Sequence, residues 1–311
     1  MLDPFTSAPT CICGRTLPTA ADESRLYDDH RRRLEALDRL RACAAECGVA
    51  TDPDRDLVTL PEDTVSLLEL GDQVWARLGL AIRSFRALVP IKTLEDFGFP
   101  AEAENQIEEP NPRLRRVGGG VEAWVFQSDA DGSIYKFYRP IEGIDKSIGS
   151  AFAFLPDDER FCRAEARWGN YRELFEKLLL IGTLKGMPTE VIAATPEGVV
   201  IAKQVLGKLL DQGEDVSGRL PSGLIEIPSL FLRADRDHPR LLFCGSPFIV
   251  ADLHARNLVH AVDGSLRVID LVAGSWPNGI FASEPVIADW LERVGHDPTA
   301  SLLPPARDAE L

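Results

Sequence analysis

The residues best suited to chemistry lie in the segment 252–270, DLHARNLVHAVDGSLRVID. Asp252 and Asn257 stand five apart in a polar stretch, and Asp270 closes the apolar run LRVID thirteen residues after Asn257. Asp263-Gly264 is a tight-turn pair between the two flanking strands, and it folds Asn257 and Asp270 back toward each other. Carboxylate, amide and carboxylate in this arrangement suit metal-assisted phosphoryl transfer. One carboxylate orients a hydroxyl and accepts its proton, while an amide oxygen and a second carboxylate hold magnesium against phosphates. Asp and Asn also cap turns in ordinary loops, and for Asp263 that explanation is sufficient.

The pattern Asp-x4-Asn, followed by an apolar strand ending in Asp, resembles the protein-kinase-like superfamily, whose catalytic loop is H-R-D-x4-N followed by D-F-G. The wording DLHARN looks most like the atypical branches. These are the aminoglycoside-phosphotransferase-like kinases and the kinase-like domains in polyvalent proteins of phages and mobile elements. The resemblance implies that Asp252 is the catalytic base and that Asn257 and Asp270 hold the metal. The chain departs from the pattern at Val250-Ala251, where the family has His-Arg, and at Leu271-Val272, where it has Phe-Gly. No convincing A-P-E follows. The missing Arg argues against control by activation-loop phosphorylation, because that Arg would pair the phosphate.

The upstream half supplies the other parts that the resemblance implies. Gly118, Gly119 and Gly120 open GGGVEAWVF, a loop whose backbone N–H groups are expected to cover the phosphates. Gly118 and Gly120 fit the first two positions of G-x-G-x-x-G, with Ala123 at the third. Lys136, within Tyr135-Lys136-Phe137, shares a strand face with Ile134 and is expected to contact the α- and β-phosphates. Its carboxylate partner is expected from the following helix, with Glu165 preferred and Glu173 second. Backbone groups of Gln204 to Leu206 would bond adenine at a hinge between lobes. His254 either supports the catalytic loop or is an ordinary loop residue. Cys11, Cys13, Cys43 and Cys47 are either unconnected or ligands of a structural zinc, although one residue between the first two is an awkward chelate. Cys162 and Cys244 read as core residues.

Positioning these residues calls for an α+β chain. Residues 21–47 read as a helix, with Leu26, Leu34, Leu37 and Leu40 at helical spacing, and 62–88 read as a second, with Leu67, Leu70, Val74 and Leu78 on one face. Residues 48–61 read as a break between them. A glycine-opened hairpin turning at Asp131-Gly132 follows, then an inserted loop over 139–157 and a helix over 157–181. Residues 190–205 read as two strands joined by TPEG, and short strands lie around 248–250 and 266–270. The expected organisation is a helical N-terminal region over 1–110, a kinase-like N-lobe over 112–205 and a reduced C-lobe over 206–300. That is a protein-kinase-like two-lobed fold preceded by a small helical unit.

Composition narrows the function classes. The 311 residues are 45% hydrophobic, and 34 Lys and Arg face 49 Asp and Glu, a net charge of -15. Such a surface repels a phosphate backbone, so nucleic acid is disfavoured as the main partner, and an anionic membrane likewise. No apolar run reaches the length of a membrane span and the N-terminus does not read as a signal peptide. Six Cys in this length imply reduced thiols in the cytoplasm. The expectation is an ATP- and magnesium-dependent phosphotransferase acting on a hydroxyl of a protein or small molecule. The alternative is a kinase-shaped pseudokinase or interaction module without turnover, with residues 1–110 available to a protein partner.

Overall fold

The computed structural model describes residues 20–49, 54–60, 73–100, 111–141, 147–156, 162–211, 214, 225–227, 242–245, 248–253 and 255–275. Leu67, Leu70, Cys11, Cys13 and His254 lie outside them.

Helix α1 spans Ala20–Glu46. Its buried stripe is His30, Arg33, Leu37, Leu40 and Ala44, spaced three and four apart as a helix buried on one face requires. Two polar residues thus extend the leucine stripe seen in the sequence. A short helix α2, Asp54–Thr59, occupies part of the expected break and buries Leu57 and Val58. Helix α3, Gln73–Arg86, buries Leu78, Ala81, Ile82 and Phe85. Two buried arginines fasten these helices. Arg86 donates to the carbonyls of Leu57 (3.0 Å), Val58 (2.5 Å) and Val89 (3.0 Å). Arg33 donates to Leu88 O at 3.2 Å and Val191 O at 3.0 Å.

A five-stranded sheet has the order β1-β2-β3-β7-β6, all pairs antiparallel. Its strands are β1 Leu114–Gly119, β2 Ala123–Ser128, β3 Ile134–Tyr138, β6 Thr189–Ala194 and β7 Val200–Gln204. One face buries Trp124, Phe126 and Phe137 under Phe97 and Phe99. The other buries Ala123, Tyr138, Val200 and Ala202 in the same core as α1–α3 and helix α4, Tyr171–Thr183. The helices before residue 90 therefore share one core with the sheet.

Between β3 and α4 the structure departs from the sequence reading. Strand β4, Ser150–Pro156, pairs antiparallel with β5, Cys162–Trp168, where an inserted loop and the first half of a helix were expected. The sequence carries the reason: Cys162-Arg-Ala-Glu-Ala-Arg-Trp168 alternates apolar and charged residues strictly, the period of a strand. Helix α4 starts only after Asn170. The Asn170 side chain accepts from Glu173 N, and the Glu173 side chain accepts from Asn170 N, which closes a capping box.

Beyond Leu206 the described residues form two small antiparallel sheets. One has the order β14-β11-β10-β9 and the other β13-β12-β8. The first comprises β9 Ile225–Ile227, β10 Leu242–Gly245, β11 Phe248–Ala251 and β14 Val272–Ser275. The second comprises β8 Lys208–Leu209, β12 Leu258–His260 and β13 Leu266–Val268. Leu180, Ile181 and Leu184 at the end of α4 pack on Val250, Leu258, Val268 and Leu271. The chain is thus α+β. No helix among the described residues is long and apolar enough to cross a membrane.

Candidate functional site

A cleft of about 1560 Å³ opens between the five-stranded sheet and the small sheets. Gly118, Gly119, Gly120, Lys136, Gln204, Leu206, Asp252, Asn257 and Asp270 all line it. Segments more than a hundred residues apart in sequence therefore meet on one surface, and each is held there by identifiable bonds.

Lys136 sits mid-strand in β3, opposite Val125 of β2 and Ala202 of β7, so its backbone is fixed on both sides. Its side chain is buried and donates to Ile269 O, the residue before Asp270. Asp252 follows β11 with φ of 61°, in the left-handed region where Asp is tolerated better than most side chains. Asn257 ends a 3-10 turn, Ala255–Asn257, and its Nδ2 donates to Asp252 O at 2.8 Å and Asp252 Oδ2 at 3.0 Å. The loop therefore brings Asp252 and Asn257 into direct contact, and Oδ1 of Asn257 is the amide atom left to act as a ligand. Ile269 N donates to Asn257 O at 2.9 Å, which ties the second segment to the first.

Two residues that the sequence reading passed over complete the site. Lys177, on α4, is fully buried and contacts Glu122 Oε2 at 2.7 Å and Asp270 Oδ1 at 3.0 Å. Glu122 belongs to the turn after the three glycines. The signal for Lys177 was available: of the two charged residues in the run LFEKLLLIG, Lys177 and not Glu176 falls on the stripe that also carries Leu174, Leu178 and Ile181.

The element that carries the expected partner of Lys136 differs from the sequence reading. Glu165 stands on β5, opposite Ala153, and not on a helix. Glu173 is occupied by the α4 cap and by Arg167, at 2.5 and 3.0 Å. Among the described residues, the carboxylates that act on Lys136 are those of Asp270 and Glu122. The residues expected at the hinge line the cleft. Gln204 is paired in the sheet with Ile134 and Thr189, and its buried side chain donates to Thr189 Oγ1 at 2.8 Å and toward Ile269 O at 3.5 Å. Leu206 is exposed on the cleft wall.

The electrostatics separate the two lysines. Burial pushes the Lys136 ammonium below its ordinary range despite the opposing pull of Asp270. Burial acts on Lys177 in the same direction, but Asp270 and Glu122 outweigh it and hold that ammonium above its ordinary range. Burial would raise the Asp270 carboxyl, yet Lys177 and then Lys136 hold it below the usual carboxylate range. Both ammonium groups and the Asp270 carboxylate are thus coupled within one site.

The oxygen donors of Asp252, Asn257 and Asp270 are hard ligands of the kind magnesium takes, with phosphates and waters supplying the rest of an octahedron. Among the described residues no group of three or more His, Cys, Asp and Glu is arranged to hold a metal without such help. Cys43 and Cys47 lie half-buried against the helical core, with Cys47 Sγ 3.8 Å from Val74 O, and His260 pairs with Glu214 at 2.9 Å. Set against known proteins, the chain matches no family model, no curated protein and no solved structure.

Proposed function

We propose that the chain is an ATP- and magnesium-dependent phosphotransferase that moves the γ-phosphoryl group to a hydroxyl acceptor. The observation that carries this reading is the convergence of Lys136, Asp252, Asn257 and Asp270 on one glycine-edged cleft. Charge supports it too. The protein as a whole is strongly acidic, but the cleft is lined by Arg115, Lys136, Arg167 and Arg256 against Glu122, Asp252 and Asp270. Cations gathered where the rest of the surface is acidic favour an anionic ligand.

In this reading Asp252 orients the acceptor hydroxyl and takes its proton as the acceptor oxygen bonds to phosphorus and ADP departs with the bridging oxygen. Lys136 contacts phosphate oxygens, and the exposed glycine turn covers them. Asn257 and Asp270 would hold magnesium, which neutralises charge on the phosphoryl oxygens when bound. The helices of residues 20–86 brace α4, as the Arg172–Asp38 ion pair at 2.7 Å illustrates. ATP as donor suits the cytoplasm.

A second reading, a binding module without turnover, is favoured by one observation. The Asp270 carboxylate already has a buried partner in Lys177, so the cluster is satisfied without a metal. Calorimetry with ATP and magnesium tests the first reading. Magnesium-dependent binding lost in both Lys136→Ala and Asp270→Ala supports the site, and no binding at millimolar ATP by folded protein sinks it. Binding without any phosphoryl transfer to acceptors or to the chain itself selects the second.

A further inference from the structure

We propose that Lys177 is a positioning residue that sets the Asp270 carboxylate for a metal, and that Glu122 couples the glycine turn to the same ammonium. The proposal rests on the nucleotide reading above and says how its metal site is built.

The cluster is asymmetric. The Lys177 side chain is 1% exposed while that of Asp270 is 38% exposed, so the ammonium lies behind the carboxylate and the carboxylate faces the cleft. Among the described residues both of Asp270's hydrogen-bonding contacts fall on one oxygen. Oδ1 receives Lys177 Nζ at 3.0 Å and Leu271 N at 2.9 Å. Two donors on one oxygen fix the plane of the carboxylate and leave Oδ2 to a ligand. Holding a ligating carboxylate by a second group is the usual way a metal site is oriented, and losing that group costs about 10–100-fold in metal affinity.

Lys177 itself is fixed by the fold. It rises from the middle of α4, with Leu174 and Leu178 packed beside it in the core. Its other contact is Glu122 Oε2 at 2.7 Å, from a residue whose carbonyl also accepts from Arg139 N at 3.1 Å. The turn that edges the cleft is therefore bound to the ammonium that orients Asp270. A purely structural ion pair would not need one partner open to the cleft, nor a bridge to the glycine turn. The polarity is opposite to the sequence expectation: the helix supplies a cation to the metal carboxylate, not an anion to Lys136.

The test is calorimetric titration of the full chain with ATP, in magnesium and in EDTA, for wild type, Lys177→Met and Glu122→Gln, with circular dichroism as the check on folding. Lys177→Met is expected to keep the wild-type affinity in EDTA and to lose about 10–100-fold in magnesium. Glu122→Gln is expected to weaken binding equally in both conditions, because it frees the turn and leaves the Lys177–Asp270 contact. If Lys177→Met does not fold, the double variant Glu122→Gln/Lys177→Met, which removes both charges together, is expected to show the same loss of magnesium enhancement. Full magnesium enhancement without Lys177 overturns the proposal. So does an equal loss in magnesium and EDTA, which would make Lys177 a direct phosphate contact. If the folded wild type binds no ATP at all, the nucleotide reading fails and takes this proposal with it. The wild-type titration therefore tells the two failures apart.

Discussion

Two lysines lie buried in one cluster, and their surroundings give them opposite effects on stability. Replacing Lys177 by Met leaves the Glu122 and Asp270 carboxylates without the cation between them. Deleting one partner of a buried ion pair costs about 3–5 kcal/mol. In a chain of this size each kcal/mol moves the melting midpoint by roughly 2–4 °C, so Lys177→Met should melt roughly 6–20 °C below wild type. Lys136→Met should behave differently. Its hydrogen bond goes to the neutral carbonyl of Ile269, and burial already disfavours its charged form. Met fills similar volume without that penalty, so stability should stay within about 1 kcal/mol of wild type or rise.

The pH dependence separates the two further. Lys177 is held above its ordinary value, so its contribution is complete below that value and is lost only as pH rises through the raised one. The deficit of Lys177→Met should therefore be constant between neutral pH and pH 9. Lys136 is held below 10.5, so the wild type carries a penalty that shrinks as pH climbs toward 10.5. Wild type should gain on Lys136→Met over that range. Urea unfolding followed by circular dichroism at several pH values measures both. Equal losses in the two variants, or a neutral Lys177→Met, would refute the assignment of opposite roles.

Three further outcomes follow from the same structure. His30 is buried, with Nε2 2.8 Å from Thr189 O, and burial lowers its pKa to about 4. The unfolded chain therefore binds the extra proton first, and wild type should lose up to about 3 kcal/mol as pH falls from about 6.5 to about 4. His30→Gln, which keeps a donor for Thr189, should flatten that part of the urea profile, and an unchanged slope between pH 7 and 5 would count against it. At Gly207 an added Cβ would lie 2.5 Å from Val259 Cγ2, so Gly207→Ala should push β12 off the cleft wall at a cost of about 1–3 kcal/mol and weaken nucleotide binding. Val259→Ala in the same chain should restore part of both in melting and titration experiments, and no restoration would place the strain elsewhere. Asp252→Asn keeps a residue tolerant of the left-handed backbone, so melting and ATP affinity should hold while phosphoryl transfer disappears. Transfer that survives the substitution would remove Asp252 from the base role.

The downstream half of the site was legible because its residues are close in sequence. A turn pair between two short strands is enough to fold Asn257 toward Asp270, and Asp263 supplies that turn through its bond to Ser265 N at 2.9 Å. Lys136 was legible from alternation, since a Lys between the aromatics Tyr135 and Phe137 must lie on the opposite face of the strand from them. Residues 150–168 were misread because their small apolar residues are compatible with either period over a short window, and only the strict alternation of 162–168 decides for a strand. That error set the expected helix start at residue 157 in place of Tyr171 and put Glu165 in the wrong element. The short helix over Asp54–Thr59 was hidden because Pro and Asp near it read as a break, while burial of Leu57 and Val58 in the core shared with α1 and α4 outweighs weak local propensity.

Lys177 is the instructive omission. A Lys in an apolar helical run looks like a defect from sequence alone, because an unpaired ammonium in a core is prohibitively costly. The cost disappears only when distant segments deliver Glu122 and Asp270 to it, and no local window contains that information. Once they do, the helix must be held rigidly, since a small displacement would leave the ammonium uncompensated. That requirement gives the described helices between residues 20 and 86 a structural task. Phe85 meets Phe175 edge-on at 6.0 Å, Arg172 pairs with Asp38, and the Tyr171 hydroxyl donates to Gly198 O at 2.6 Å, so α4 is fixed along its first half. Its last turn packs on Val250, Leu258 and Val268, beside the loop that carries Asp252 and Asn257. The N-terminal helices, the sheet and the small sheets therefore converge on one element, and the position of one buried amine on that element relates the glycine turn to Asp270.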